Sequence, residues 1–169
     1  MKHPKNLFLI GPMGAGKSAV GRQLASLLHL AFVDSDDEIE VRTGVDIPFI
    51  FEKEGEEGFR KRETKVIDDL TQKDGIVLAT GGGVVVDLQN RNFLGARGFV
   101  VYLYTTVDQQ LARTRKGRER PLLENGDRRK ILEDLMVDRD ELYREIADLI
   151  VETDGRKVKA VADEILERL

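Results

Sequence analysis

The chain of 169 residues has no cysteine, so neither a disulfide nor a thiolate-held metal can serve it. It has only His3 and His29, which read as a surface residue and a helix-end residue with no catalytic part. No apolar run is long enough to span a bilayer, and the four apolar residues before Gly11 are too few for a signal-peptide core. These absences predict a soluble, unprocessed, cytoplasmic protein. Positive charge is not in excess either. The formal net charge is −4 with 34% charged residues, which argues against a nucleic-acid surface and against a disordered acidic tail. There is no internal repeat, linker or low-complexity segment, so residues 1–169 are expected to form a single domain with a sizeable core.

What the sequence does contain is organised around residues 11–18, Gly-Pro-Met-Gly-Ala-Gly-Lys-Ser, which fit the phosphate-binding pattern G-x-x-x-x-G-K-[ST]. An apolar run, Leu7-Phe8-Leu9-Ile10, precedes it, and the helical spacing of Val20, Leu24, Leu27 and Leu28 follows. Glycines at 11, 14 and 16 let backbone N–H groups point inward around an oxyanion, and the helix start adds the positive end of its dipole. Lys17 supplies a point charge to the outer phosphates and Ser18 a hydroxyl to Mg2+.

Further strands are read at Ala31-Phe32-Val33, Ile76 to Ala79, Phe99 to Tyr104 and Leu149-Ile150-Val151. All are apolar without alternation, as fully buried parallel strands are. Short helices are expected at about 37–42, closed by Gly44, and after Asp46 with Pro48 in its first turn. Longer ones are expected at about 56–72, at about 128–147, and through Val158, Val161, Ile165 and Leu169. Asp87 and Asp108 read as helix caps, and residues 117–126 lose periodicity and read as a mobile surface loop. Alternating strands and helices predict a parallel α/β sheet covered on both faces, with ligands beyond the carboxyl ends of its strands.

That rule selects the chemistry-bearing residues. Asp34 ends an apolar strand and is the leading acid on the metal side, acting through a bound water. Asp36 stands two residues on, suited to an acceptor hydroxyl. Each also suits an ordinary helix N-cap. Arg60, Arg120 and Arg139 fall in three separate elements, and two of them converging on one point would define an anionic acceptor. Composition does not choose among them. Gly81, Gly82 and Gly83 after a buried strand permit close approach of a backbone or a ligand. Phe49, Phe51 and Phe59 suit either the core or an apolar wall of the acceptor pocket.

Six stretches taken together resemble the shikimate kinases over almost the whole chain. They are residues 11–18, Phe32-Val33-Asp34-Ser35-Asp36, Phe59-Arg60-x-x-Glu63, Thr80-Gly81-Gly82-Gly83, Arg120-Pro121-Leu122 and Arg139-x-x-x-Tyr143. The resemblance implies a P-loop NTPase-like three-layer α/β/α fold with a five-stranded parallel sheet in order 2-3-1-4-5. It implies an acceptor-binding segment at about 35–63 and a mobile lid at about 116–127. It further implies a monomer that transfers phosphate from ATP, with Mg2+, to the 3-hydroxyl of shikimate. On the nucleotide side it points to Gly14, Ala15, Gly16, Lys17, Ser18, Ala19, Arg113, Arg120 and Arg156. Arg113 is expected to pack on the adenine, and Arg120 to reach the transferred phosphate from the lid. On the acceptor side it points to Asp36, Arg60, Glu63, Gly81, Gly82, Gly83 and Arg139, with Phe51 and Phe59 as its wall. The arginines would take the acceptor carboxylate and Asp36 its hydroxyls. The chain departs from the family at Ser35, where Thr is usual, and at Ala19, where some members have Thr. Near 156–158 it lacks the proline that members often carry beside the adenine. Rival readings are a gluconate or nucleoside monophosphate kinase of the same build, or a nucleotide switch without a small acceptor. The triple glycine and the Phe-Arg-x-x-Glu spacing favour shikimate.

Overall fold

Strands apolar at every position must be covered on both faces, and the topology provides that cover. The computed structural model describes residues 4–114 and 127–169. Among them a five-stranded parallel sheet runs in the order β2-β3-β1-β4-β5. Strands β1 (Leu7–Ile10) and β3 (Ile76–Ala79) are buried throughout, and β4 (Phe99–Tyr104) nearly so. β5 (Leu149–Glu152) closes one edge. The other edge strand, β2 (Ala31–Asp34), differs from its expected full burial and is only partly covered. It has one neighbour, β3, where a central strand has two.

Successive residues of β1 feed opposite cores, as strand geometry requires. Phe8 and Ile10 join Ile67, Leu70, Leu94 and Tyr143 on one face, whereas Leu7 and Leu9 join Val20, Leu24, Val161 and Ile165 on the other. Helices α1 (Lys17–Leu28) and α7 (Val158–Arg168) cover the second face. The first is covered by α3 (Ile47–Thr71), α4 (Leu88–Arg97) and α6 (Arg128–Ile146). Helices α2 (Ser35–Thr43) and α5 (Val107–Thr114) border the carboxyl end of the sheet.

Local sequence explains the boundaries. α2 starts two residues before the expected position because the Asp34 carboxylate accepts the amides of Asp36 and Asp37 and caps it. The segments expected separately after Asp46 and from 56 join as α3, broken only at Gly55, whose φ of 71° and ψ of −179° no helix interior adopts. Asp87 caps α4 as expected. Asp108 does not cap α5. Thr106 Oγ1 accepts the amide of Gln109, while Asp108 sits in the first turn and pairs with Arg129. His29 ends α1 in the left-handed region at φ 56°. The expected lid, apart from Asp127, and Arg120 within it lie outside the described residues; Asp127 caps α6. Among the described residues no helix is long and apolar enough to cross a membrane.

Candidate active site

The register Leu9 to Ala79 and Asp34 to Ala79 brings the carboxyl ends of β1, β2 and β3 level. A cavity of about 480 Å³ opens there, between the loop after β1 and the loop after β3.

The first loop forms one half of the cavity wall. Gly14 (φ 82°) and Gly16 (φ 91°) hold conformations that side chains rarely adopt, and Gly16 opens α1. Lys17 is almost buried, its Nζ donating to the carbonyls of Gly11 at 2.6 Å and Pro12 at 2.8 Å, so its charge is tethered across the loop it belongs to. Ser18 Oγ donates to Asp34 Oδ2 at 2.7 Å, and the other oxygen of Asp34 holds the α2 amides at 2.9 and 3.1 Å. The cap reading of Asp34 holds, and its second oxygen remains on the cavity side against Ser18. Its helix fixes one oxygen so that the other meets the serine.

Arg113 reaches back from α5, donating to the carbonyls of Gly14 at 3.0 Å and Thr153 at 3.4 Å, and borders the cavity beside Gly16. Ala19 lines the cavity; Ala15 is buried beneath it. Arg156 lies elsewhere, just before α7, donating to the carbonyls of Glu152 and Ala160 and to the Glu164 carboxylate, and takes no part in the cavity wall.

The second loop forms the opposite half. Glycines 81–83 have no positive φ, and what they provide is clearance. A Cβ on Gly81 would stand 2.8 Å from Asp36 Oδ1 and 3.1 Å from Glu63 Oε2. On Gly83 it would stand 2.6 Å from Arg60 Nη1, and on Gly82 3.8 Å from Arg139 Nη1. Gly81 and Gly83 thus leave room for charged side chains named from the sequence, whereas a Cβ on Gly82 would be in ordinary contact with Arg139 and closest to the Met13 amide nitrogen. The loop is pinned by the Thr80 hydroxyl on the Leu9 carbonyl and by the Gly81 amide on Ser35 Oγ.

Arg60 donates to Glu63 Oε1 at 2.9 Å and lies over the Phe59 ring at 5.1 Å. Arg139 is 6% exposed, which a solvated surface arginine would not be. Glu63 is 1% exposed. Burial pushes its carboxyl up to about 7, with the Arg60 charge opposing that rise and the Asp36 carboxylate adding to it.

Phe51 and Phe59 pack ring to ring at 4.9 Å, and each both packs in the core and lines the cavity. Phe49 does neither and is exposed. Sequence reasoning missed Met13, Arg22 and Asp37 in the wall. Arg22 was discoverable, because it stands one helical turn after Ser18 and therefore on the same face of α1. Its guanidinium lies 4.8 Å over Phe32.

A phosphate loop facing paired guanidinium groups across one crevice, on this sheet, defines a small P-loop kinase. The chain belongs to the shikimate kinase family, whose model, described as "Shikimate kinase", matches residues 13–169. It is 59% identical to the shikimate kinase of Colwellia psychrerythraea over 170 residues, 100% of this chain and 99% of that protein. A solved structure of shikimate kinase from Acinetobacter baumannii in complex with shikimate superposes with a TM-score of 0.95 at 52% identity, covering 97% of this chain and 92% of the other. A gluconokinase from Sinorhizobium meliloti superposes at a TM-score of 0.64 with 16% identity, over 99% and 92% of the two chains, a likeness of fold alone.

Proposed function

We propose that this chain transfers the γ-phosphoryl group of ATP to the 3-hydroxyl of shikimate, releasing shikimate 3-phosphate and ADP. The observation that carries the reading is the glycine triplet. The bare Cα of Gly81 admits Asp36 with Glu63 and that of Gly83 admits Arg60, and Arg139 lines the same cavity beside Gly82, opposite the phosphate loop. A ring bearing a carboxylate and several hydroxyls matches that pattern of two guanidinium groups and a carboxylate.

The N–H groups of Gly14, Ala15 and Gly16 and the start of α1 receive the phosphates, and Lys17 leaves its carbonyl tethers for their outer oxygens. Arg113 borders the adenine. Arg156, expected on the nucleotide side, would join only if ATP draws it from Glu164. Arg60 and Arg139 grip the acceptor carboxylate, and Phe51 and Phe59 exclude water beside its ring. Asp36 orients the 3-hydroxyl and accepts its proton as the new O–P bond forms and the bond from the γ-phosphorus to the bridging oxygen of ADP breaks. The proton then passes to solvent.

Mg2+ fits the all-oxygen pair of Ser18 and Asp34. Among the described residues no cluster of three or more His, Cys, Asp or Glu side chains competes for it. Bound there with the phosphates, it would offset the charge on their oxygens. Arg120 and the lid at about 116–127 belong to the proposal as the cover that closes over both ligands and brings a guanidinium to the transferred group. The working unit is read as a cytoplasmic monomer of one domain, with the acceptor held mainly by residues from about 35–63.

A coupled ADP-release assay run with shikimate, gluconate, nucleoside monophosphates and no acceptor tests the reading. Turnover with shikimate alone is expected. Turnover with gluconate would install the rival kinase, and ADP release without any acceptor would install a nucleotide switch.

A further inference from the structure

Tyr143 is fully buried on α6 and takes no part in the cavity wall, yet its hydroxyl donates to the carbonyl of Gly82. Burial pushes the phenol up to about 12, opposed first by the charge of Arg139, which stands one helical turn earlier and within hydrogen-bonding reach. The group is therefore a neutral donor at any working pH. A Cβ on Gly82 would itself stand 3.8 Å from Arg139 Nη1, so the glycine peptide, the arginine and the phenol meet at one place. The ring is held from behind by Tyr102, 4.8 Å away. The hydroxyl of Tyr102 turns to Asp140 at 2.7 Å and away from the loop.

We propose that Tyr143 is a positioning residue, whose hydroxyl fixes the Gly82 peptide relative to the Arg139 guanidinium and so sets acceptor affinity without touching the acceptor. This rests on the reading of Gly82 and Arg139 as acceptor-holding groups. Without the hydroxyl the Gly82 carbonyl loses its buried donor, and the loop and the arginine each gain freedom that acceptor binding must then remove.

The test is steady-state kinetics of Tyr143→Phe, Tyr102→Phe, Arg139→Lys and the double variant Arg139→Lys with Tyr143→Phe. Phenylalanine keeps the ring and its packing. Tyr143→Phe should raise the KM for shikimate about 5- to 20-fold, the order expected for one buried hydrogen bond, and leave the KM for ATP within about twofold. Tyr102→Phe removes a hydroxyl from the same core and should leave both KM values unchanged. A loosened fold lowers the active fraction, hence kcat, and does not move KM, so the two causes separate even in a weakly stable variant. Once Arg139→Lys has raised the shikimate KM, adding Tyr143→Phe should raise it less than about twofold further.

An unchanged shikimate KM in Tyr143→Phe, an equal rise in Tyr102→Phe, or full additivity in the double variant would overturn the inference while the acceptor reading stands. An unchanged shikimate KM in Arg139→Lys would overturn the acceptor reading, and this inference with it.

Discussion

Two glycine-rich loops face each other across the cavity, and they need glycine for different reasons. In the loop after β1 the need is conformational. Gly11, Gly14 and Gly16 have φ of 145°, 82° and 91°, values that turn amides toward an anion and that other residues rarely adopt. In the loop after β3 no φ is positive, and Gly83 sits at −94°. There the need is spatial, because carboxylate and guanidinium groups lie where side chains would be. One loop presents its own backbone to a ligand, and the other makes room for charges brought from α2 and α3. A backbone device is local and readable as a pattern, whereas a clearance device acquires meaning only when distant elements arrive.

Substitutions should separate the two loops. The largest effect is expected for Lys17→Met, which removes the charge tethered across the loop after β1. kcat should fall by about 10³ or more with the fold retained, as measured by coupled turnover beside circular dichroism. A loss under tenfold would remove Lys17 from the chemistry. Next comes Gly11→Ala, where a Cβ would meet the Leu103 carbonyl oxygen at a φ of 145°. Backbone strain and that clash together should cost about 3–5 kcal/mol of stability, read by urea denaturation. Gly83→Ala is the contrasting case. Its backbone accepts alanine, but Arg60 must move from a position 2.6 Å from the new carbon. Stability should change by no more than about 1 kcal/mol, while the KM for shikimate rises about 30-fold and that for ATP stays put. A destabilisation equal to that of Gly11→Ala would erase the distinction between the loops.

The same distinction explains what could be read from the sequence. All five strands and the phosphate-loop motif follow from short-range pattern, and the strands form where that pattern puts them. The order 2-3-1-4-5 was implied by the family resemblance alone, and the sheet has it. β2 was misjudged because an apolar triplet does not say whether a strand lies at the edge. The two helices expected after Asp46 and from about 56 do part at Gly55, although they run on as the two arms of α3. Thr106 rather than Asp108 caps α5, a choice between adjacent cap formers that local sequence leaves balanced. Arg60 and Arg139 could not be told from the other arginines by residue type. Their convergence depends on α3 and α6 packing on one face of the sheet, and burial of Arg139 is a tertiary fact. The family resemblance named them, together with Arg156, which the model places against α7 instead of the cavity.

The smallest expected effect belongs to the clearance loop alone and is a pH dependence. Glu63 faces Gly81 from inside the protein, and burial raises its carboxyl from an ordinary 4.5 to about 7. A carboxyl raised in the folded state favours folding with its proton on. Its contribution is complete below about 4.5 and fades as pH climbs through 7. Glutamine at this position keeps an acceptor for Arg60 and cannot ionise. Between pH 5 and pH 8 the stability of Glu63→Gln should therefore gain on the wild type by roughly 1–2 kcal/mol, measured by urea denaturation at each pH. A variant that instead loses ground as pH rises would show that Glu63 is held ionised by Arg60, and that the charges around Gly81 balance without a proton.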